Sequence, residues 1–354
     1  LVKQFFRYLM KKNKISYCSR CCLPETVEGI SFDELGVCMA CRSSEEKMHI
    51  DWKKREKQLS NILIKAKSKA QDNYDCVLPI SGGKDSFFQA HILTKVYGLK
   101  PLAVTFSHNW FSEIGFYNLQ RCLEIFNLDQ LQFTPARGLV NKIARKSIFA
   151  IGDSCWHCHS GIGAFTLQIA TKFQIPLIVW GESLSETSAR QGFNLAPVKF
   201  DRNYFTKVSA KVSAKDMVDE TLTNKDLKPF KLPTYNEISK TKVWGIHLGN
   251  YIFWDDERQM EFVRDHYEWE ENNVEGSYKG YKSVECMMEG VHEYSNFVKR
   301  GYGKGNSNYN NDENDNDWDE EKNFNNYEKD ENFNNYKRKN MGWEKLFFYN
   351  QSSS

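Results

Sequence analysis

The stretch Cys76-Val-Leu-Pro-Ile80 runs directly into Ser81-Gly-Gly-Lys-Asp-Ser86, so a short apolar run is followed at once by a glycine-rich turn. The apolar run predicts a buried strand, and the residues after the turn, Phe87 to Tyr97, predict a helix. Glycines allow a tight turn and a close backbone approach, and the N-terminus of a helix favours a phosphate group. The stretch therefore predicts an α/β fold with a phosphate-binding loop at the end of its first strand.

The side chains of this turn supply the donors that a phosphate site needs. Lys84 adds a positive charge, and the hydroxyls of Ser81 and Ser86 can donate to phosphate oxygens. Asp85 would bind Mg²⁺ or order the loop, although an aspartate in the first turn of a helix also interacts well with the helix dipole. The spacing excludes a Walker A loop, which places four residues between its glycines.

The motif Ser-Gly-Gly-x-Asp-Ser resembles the signature of the PP-loop enzymes. The resemblance implies an enzyme that splits ATP between its α and β phosphates, holds pyrophosphate in the loop and places AMP on an oxygen of the acceptor. Lys84 and Asp85 are then candidate catalytic residues. The residues expected to bind the nucleotide are Ser81, Gly82, Gly83, Lys84, Asp85, Ser86, Thr105 and Gly181.

Length and composition narrow the class of protein. The chain has 354 residues and a net charge of +2, which argues against nucleic-acid or membrane partners bound by charge. No apolar run approaches the roughly 18 residues that a bilayer span needs, and the first residues lack the order of a secretion signal. We therefore expect a cytoplasmic protein. Six of the ten cysteines form three C-x-x-C pairs, which in such a protein favours metal binding over disulfides.

The first two pairs indicate a structural zinc site. Cys18 and Cys21 are separated by sixteen residues from Cys38 and Cys41, and each pair lies in a turn-like setting. Two such knuckles can converge on one tetrahedral ion, which would supply folding energy that so few apolar residues cannot. Free thiols or a redox pair are the alternatives. Cys22, beside the first knuckle, is not expected to be a ligand.

Beyond the turn, strands and helices alternate along the chain. Apolar runs at 102–106, 131–134 and 176–180 predict strands, and helices are expected at 115–126 and 161–173. The last of these strands is almost wholly apolar, as expected where helices cover both faces of a parallel sheet. This alternation predicts a doubly wound, mostly parallel sheet with the nucleotide at the carboxyl ends of its strands.

The strand at 176–180 is followed by Gly181 and Glu182. A glycine at that end of a strand lets a substrate approach the backbone, and Glu182 would then project into the crevice that faces the glycine-rich turn. Glu182 is a candidate catalytic residue that would hold Mg²⁺ or orient the incoming nucleophile. A glutamate that simply favours a helix N-terminus is an equally good interpretation of its chemistry.

The third pair, Cys155 and Cys158, precedes a predicted helix near the edge of the crevice. It suits a second zinc site, an iron–sulfur cluster held by three cysteines, or a thiol pair that carries sulfur. Cys286 is the best third ligand, because Cys76 and Cys122 fall within a strand and a helix, where small buried thiols are common. His157 and His159 are ligands or ordinary imidazoles.

Several separated motifs together resemble the N-acetyl sugar amidotransferases, enzymes of bacterial lipopolysaccharide O-antigen and nonulosonic acid pathways. The likeness covers about residues 16 to 303 and is more specific than the glycine-rich turn alone. It rests on Tyr17-Cys-x-x-Cys21-x-x-Pro24, Gly36-Val-Cys-x-Ala-Cys41, Ser81 to Ser86, Cys155-Trp-x-Cys158-His159, Val179-Trp-Gly-Glu182 and Tyr278-Lys-Gly-Tyr-Lys-Ser-Val-Glu-Cys286.

The resemblance implies that ATP activates the N-acetyl carbonyl of a sugar or nucleotide sugar and that ammonia then forms an acetamidino group. ATP, Mg²⁺ and Zn²⁺ are the implied cofactors, with an iron–sulfur cluster as the alternative at Cys155. The chain has no convincing glutaminase segment, so the implied partners are separate glutaminase and cyclase-like proteins that deliver ammonia. The strongest rival is a PP-loop enzyme that thiolates tRNA, and a zinc-binding scaffold is a third class.

The composition also predicts how the chain is divided. Apolar residues at helical spacing after residue 45 predict a linker helix. Residues 192–237 are expected to line the acceptor side of the cleft. The aromatic stretch 244–281 is expected to cover the site or to contact a partner. The Asn-rich end is expected to be disordered and departs from the amidotransferase pattern. The predicted units are an extension 1–16, a zinc-knuckle module 17–44, a linker helix 45–70, a PP-loop domain 71–303 and a tail 304–354.

Overall fold

The apolar run that ends at Ile80 forms the central strand of a parallel sheet. The computed structural model describes residues 15–27, 29–181, 212–273 and 280–300. The strands, in chain order, are β1 (Cys76–Pro79), β2 (Pro101–Phe106), β3 (Gln130–Phe133), β4 (Leu177–Trp180) and β5 (Trp244–His247).

The strand order explains where a ligand would bind. The sheet runs β3-β2-β1-β4-β5, and every neighbouring pair is parallel. The chain first builds outward from β1 through β2 to β3, and then returns to place β4 on the other side of β1. Open α/β sheets bind ligands at such a switch point, outside the carboxyl ends of the strands. Here those ends lead into Ser81 from β1 and into Gly181 from β4.

Helices cover both faces of the sheet. A π-helical turn, Ile92–Val96, directly follows the helix that begins at Lys84, and short 3₁₀ helices lie at Lys228–Phe230 and Leu248–Asn250. The α-helices are α1 (Met39–Met48), α2 (Trp52–Ala70), α3 (Lys84–His91), α4 (Glu113–Phe126), α5 (Arg137–Ile151), α6 (Trp156–Lys172), α7 (Tyr235–Thr241), α8 (Asp256–Tyr267) and α9 (Glu289–Arg300).

Local sequence signals account for several helix ends. Asp51 accepts a hydrogen bond from the Lys54 amide at the start of α2, and Ser112 accepts one from the Gly115 amide at the start of α4. Thr234 and Glu237 form a reciprocal capping box before α7. Such caps typically stabilise a helix by about 1 kcal/mol each.

The apolar side chains divide between the two faces. On one face Phe87, Leu119 and Val263 are fully buried where α3, α4 and α8 pack together. On the other face Leu167 of α6 packs with Ile178 of β4. Burying a side chain of this size typically contributes about 1.5–3 kcal/mol to the stability of the fold. Both helical layers therefore stabilise the sheet.

The structure confirms the predicted fold class and the three later strands to within one residue at each end. It differs at the linker, where the helix predicted over 45–70 is divided into α1 and α2. Asp51 caps the start of α2, because its carboxylate satisfies an amide that a continuous helix would pair within itself. Residues 244–247 form β5, although the sequence predicted only a covering segment there.

Some predictions fall on residues that the structure does not describe. These are most of the extension 1–16, the tail 304–354, Glu182, and the part of 192–237 before residue 212. In the described part, Met217, Leu222 and Phe230 pack with Trp156 of α6. None of the helices in the described ranges has both the length and the hydropathy to cross a bilayer.

Candidate nucleotide and metal sites

The turn Ser81–Ser86, here called the phosphate loop, leads from β1 into α3. Gly82 has a φ of +91°, and a Cβ atom there would lie 2.6 Å from the carbonyl oxygen of Gly115. Only glycine suits that position. The Ser86 hydroxyl accepts a hydrogen bond from the Ser81 amide at 2.9 Å, and no side chain caps the first turn of α3. The loop therefore presents a helix N-terminus that favours an anion.

Lys84 is buried beside this loop, with 2% of its side chain exposed. Its Nζ atom donates to Asp85 Oδ1 at 2.7 Å and to Asp256 Oδ1 at 2.9 Å. Lys282 also donates to the Asp256 carboxylate. Burial alone would raise the pKa of Asp256, but the charges of Lys84 and Lys282 outweigh it and lower that pKa to about 2. Asp256 is thus ionised at neutral pH and holds two lysines near the phosphate loop.

A second carboxylate reaches the phosphate loop from a distant part of the chain. Glu285 Oε1 accepts a hydrogen bond from the Ser81 hydroxyl at 3.3 Å, and a Cβ atom on Gly83 would lie 3.4 Å from Glu285 Oε2. Burial and the nearby charge of Asp85 raise the pKa of Glu285. Two carboxylates beside an anion site repel phosphate unless a cation lies between them.

Residues 280–288, here called the Glu285 segment, are held against the chain that follows β2. The Ser112 amide donates to the carbonyl of Glu285 at 3.0 Å, and Cys286 pairs with Phe111 in an isolated antiparallel bridge. Gly115 permits this contact, because a Cβ atom there would lie 2.3 Å from the Cα atom of Glu285. The phosphate loop, α4 and the Glu285 segment therefore form one packed unit.

The other two residues predicted for the nucleotide site occupy different environments. Gly181 lies at the switch point, where a Cβ atom would approach the Gln89 amide nitrogen to 2.4 Å. Thr105 is buried in the sheet, and its hydroxyl donates to the carbonyl of Ile80 at 2.9 Å and accepts from Gln130. Gly181 is therefore buried against Gln89 and Trp254 at the end of β4, whereas the Thr105 side chain connects β1 to β2. Glu182 lies outside the described residues.

The first four paired cysteines come together as the spacing predicts. The Sγ atoms of Cys18 and Cys41 lie 4.0 Å apart, those of Cys21 and Cys38 lie 3.5 Å apart, and all four lie within 4.8 Å of one another. A zinc ion with Zn–S bonds of about 2.3 Å separates its tetrahedral sulfur ligands by about 3.8 Å. Cys22 is exposed and stands outside the group. The cluster therefore fits a tetrahedral ion.

Backbone amides point toward one sulfur of this cluster. The amides of Arg20 and Cys38 approach Cys18 Sγ at 3.4 and 3.2 Å. Burial would raise the pKa of Cys18, but such hydrogen bonds lower it to about 6, whereas burial raises the pKa of Cys21 to about 12. Burial, together with the neighbouring thiols, also raises the pKa of Cys41. A bound metal would allow all four to ionise.

The third cysteine pair lies near Cys286, since burial and the charges of Cys155 and Cys286 raise the pKa of Cys158, but Cys155 also belongs to a group of ligand atoms that the sequence did not predict. Cys155 precedes α6, and its sulfur lies within 4.8 Å of ligand atoms of Asp153 and His292, a group that does not include Cys158 or Cys286. Burial disfavours a charged His292, but hydrogen bonds with Asp153 and Cys155 raise its pKa to about 10. His157 is buried, with Nε2 3.2 Å from the carbonyl oxygen of His108, so it belongs to the interior.

Sequence reasoning missed five polar residues of these sites. Lys282 and Glu285 lie in the motif from Tyr278 to Cys286, but their roles were not predicted, because the contact between Glu285 and Ser81 joins residues 204 positions apart. Asp256 had a weak signal, since it begins α8 after an aromatic run. Asp153 lies two residues before a paired cysteine, and His292 lies on an amphipathic helix. The five residues are Asp153, Asp256, Lys282, Glu285 and His292.

Comparison with known proteins finds similarity only among solved structures. No protein-family model and no curated protein matches the sequence. Among solved structures, 29 chains match, and one of them is NMN synthetase from Francisella tularensis. It shares 14% sequence identity with a TM-score of 0.28, over 64% of this chain and 98% of its own. Similarity at this level does not identify a family or a substrate.

Proposed function

We propose that the protein is an ATP-dependent PP-loop enzyme that converts the N-acetyl group of a sugar or nucleotide sugar into an acetamidino group. The observation that carries the proposal is the phosphate loop at the switch point of the sheet, with Gly82 in a conformation that suits only glycine. In this proposal Gly181, at the end of β4, lies across the switch point from the phosphate loop. This is where a doubly wound sheet binds a nucleotide.

The first half-reaction activates a poor electrophile. The acetamido carbonyl oxygen attacks the α-phosphorus of ATP, the bond from that phosphorus to the bridging oxygen breaks, and pyrophosphate leaves with the electron pair. Gly82 and Gly83 offer backbone donors to the departing phosphates, and Lys84 offsets their charge from its position between Asp85 and Asp256. The acceptor oxygen now carries AMP, which is a good leaving group.

The second half-reaction adds nitrogen. Ammonia attacks the activated carbon, the bond from that carbon to the AMP oxygen breaks, and loss of a proton gives the neutral or protonated amidine. Ammonia is mostly protonated at neutral pH, so the proposal includes glutaminase and cyclase-like partners that deliver it. A cytoplasmic location belongs to the same proposal, because ATP and nucleotide sugars are its substrates.

The carboxylates near the phosphate loop suit a magnesium ion. Asp85 and Glu285 present oxygen ligands beside the position of the phosphates, and burial together with the charge of Asp85 raises the pKa of Glu285. Mg²⁺ bound there would neutralise charge on the phosphate oxygens. The four-cysteine cluster is the corresponding place for Zn²⁺, which in this proposal is structural.

The test uses the full chain with ATP, Mg²⁺ and ammonium. An N-acetylated nucleotide sugar should stimulate release of AMP and pyrophosphate, and mass spectrometry should detect a product lighter by the difference between an oxygen atom and an NH group. A Lys84→Ala variant should lose both signals. Release of ADP, or no turnover with any N-acetylated sugar, would contradict the proposal.

The same assay separates the rival activity. A tRNA-thiolating enzyme would respond to unmodified tRNA with a sulfur donor, and it would use closely placed thiols to carry sulfur or a cluster. Cys155, Cys158 and Cys286 would be the thiols of such an enzyme, and burial together with the charges of the other two raises the pKa of Cys158. Stimulation by tRNA and none by the sugar would favour thiolation.

A further inference from the structure

A buried polar cluster lies where α6 begins, and the two half-reactions above do not use it. His292 Nδ1 lies 3.2 Å from Asp153 Oδ1, and Cys155 Sγ lies within 4.8 Å of both ligand atoms. Asp153 and Cys155 are 4% and 8% exposed, and the His292 side chain is 20% exposed. Three side chains of metal-ligand type therefore converge in a largely dry setting.

The spacing of these atoms matches a tetrahedral ion. Zinc binds imidazole nitrogen and carboxylate oxygen at about 2.0–2.2 Å and thiolate sulfur at about 2.3 Å. Tetrahedral geometry then separates a nitrogen and an oxygen ligand by about 3.4 Å and places sulfur slightly farther away. The observed separation of His292 and Asp153 is 3.2 Å, so a zinc ion would fit with only small shifts.

Two rigid elements and a local hydrogen bond hold the cluster. Cys155 lies at the start of the long helix α6, and His292 lies in the first turns of α9. The Cys155 amide donates to Asp153 Oδ1 at 2.8 Å, which fixes the carboxylate toward the other two side chains. A hydrogen-bonded carboxylate of this kind is typical of an oriented metal ligand.

We propose that Asp153, Cys155 and His292 bind a zinc ion that is separate from the four-cysteine site. Zinc sites with three protein ligands normally keep a fourth position for water or substrate, and are of the catalytic type. The chain connects the cluster to the phosphate loop, because α9 follows directly after the Glu285 segment and Glu285 accepts a hydrogen bond from Ser81. The proposal does not depend on the sugar, because metal binding can be measured without turnover.

This assignment replaces the ligand set that the cysteine spacing suggests. Cys286 Sγ accepts a hydrogen bond from the Met288 amide at 3.4 Å, and Cys286 lies in the bridge with Phe111. Neither it nor Cys158 belongs to the group of atoms within 4.8 Å. A mixed sulfur, nitrogen and oxygen donor set favours zinc over an iron–sulfur cluster, which is held by thiolates.

The first test measures metal in the wild-type full chain. Protein purified with added zinc and passed through a desalting column should hold one zinc equivalent for each of the two clusters, as measured by plasma mass spectrometry. Replacement of zinc by Co²⁺ should give two overlapping visible spectra, one of a four-thiolate site and one of a site with a single thiolate. One equivalent of zinc, with only the four-thiolate spectrum, would overturn the proposal.

The second test identifies the ligands. Asp153→Asn and His292→Ala should each lose one zinc equivalent and the single-thiolate cobalt spectrum, while the four-thiolate spectrum is unchanged. Cys286→Ser and Cys158→Ser are matched controls that should retain both. If circular dichroism shows that a variant does not fold, the cobalt spectrum of the wild-type protein still shows whether a second site with a single thiolate exists. Loss of the second metal in the Cys286 variant, with retention in the Asp153 variant, would show the thiol set to be correct.

Discussion

Lys84 is a buried cation whose surroundings explain how it can serve the phosphate loop. With 2% of its side chain exposed, it depends on Asp85 and Asp256 for compensation of its charge. Phosphate groups bound to the loop would take over part of the negative charge that now pairs with Lys84. The lysine can therefore remain charged and buried before the phosphates bind. Removal of the lysine would leave Asp256 with only one of its two lysine partners and the leaving pyrophosphate without the positive charge of Lys84.

Lys84→Ala should lower the rate of pyrophosphate release by about a hundredfold or more, since loss of one charge-stabilising donor typically has that effect. The measurement is a coupled pyrophosphate assay at saturating ATP. Lys100→Ala is the matched control, because the Lys100 side chain is 77% exposed and lies far from the phosphate loop. Equal rates for wild type and both variants would exclude a role for Lys84 in turnover.

Asp256→Asn should destabilise the protein at neutral pH by about 2 kcal/mol, because the pKa of Asp256 is lowered to about 2 in the folded state. A lowered carboxyl pKa stabilises the fold above the pKa of the unfolded chain, about pH 4, and that stabilisation is lost as the pH falls toward 2. The difference between wild type and variant should therefore shrink below pH 4. Urea unfolding followed by tryptophan fluorescence at several pH values measures it. A difference that does not change with pH would contradict this account.

Glu285→Gln should separate two roles of that carboxylate. If Glu285 helps to hold Mg²⁺, the variant should bind Mg²⁺-ATP about tenfold more weakly, whereas without Mg²⁺ it should bind ATP more tightly because a negative charge is gone. Calorimetric titrations with and without Mg²⁺ measure both. Glu124→Gln, at an exposed glutamate of α4, is the control that should change neither affinity. Weaker binding of ATP in both conditions would contradict the magnesium role.

At the scale of elements, local runs of apolar residues predicted three strands, including the half-exposed edge strand β3, and missed the largely buried strand β5. Apolar runs identified β2, β3 and β4 almost to the residue. The short strand β5 was missed because Trp244-Gly-Ile-His247 has too few apolar residues to stand out, and only pairing with β4 makes it a strand. The pairing with β4, and not the local sequence, therefore determines that these residues form a strand.

The contact between α4 and the Glu285 segment gives a prediction about packing. Gly115→Ala would place a Cβ atom 2.3 Å from the Cα atom of Glu285, so the segment must move, at a cost of about 1–3 kcal/mol. ATP affinity should fall with it. Gly138→Ala, in α5 with nothing within 4 Å of an added Cβ, should instead stabilise by about 0.5 kcal/mol. Thermal unfolding with and without ATP measures both effects, and a neutral Gly115 variant would contradict the packing argument.

At the scale of the whole molecule, the sites combine residues that are local with residues that are far apart in the chain. The phosphate loop and the four paired cysteines could be predicted, because each is a short motif whose spacing already encodes its geometry. Asp256, Glu285 and His292 could not, because they reach their sites only when the chain after β5 folds back over the carboxyl edge of the sheet. The spacing of residues within one short segment cannot predict a contact of this kind between distant segments.

The four-cysteine site and the sheet should respond differently to loss of metal. The chain joins them through α1 and α2, where Trp52 packs edge-on against Phe253 at 5.6 Å and Lys47 donates to the carbonyl of Trp254. The knuckles themselves have few apolar residues, so they depend on the ion, whereas the sheet has buried layers on both faces.

Chelation should therefore remove amide protection from residues 18–42 and leave that of β1 and β2 nearly unchanged, as measured by hydrogen exchange with mass spectrometry. Cys22→Ser is the control, since this exposed thiol lies outside the cluster and the variant should exchange like wild type before and after chelation. Adding zinc back should restore protection in both proteins. Cooperative loss of protection in β1 together with the knuckles would mean that the ion stabilises the whole molecule, and protection that persists everywhere would mean that the four thiols need no metal to hold their arrangement.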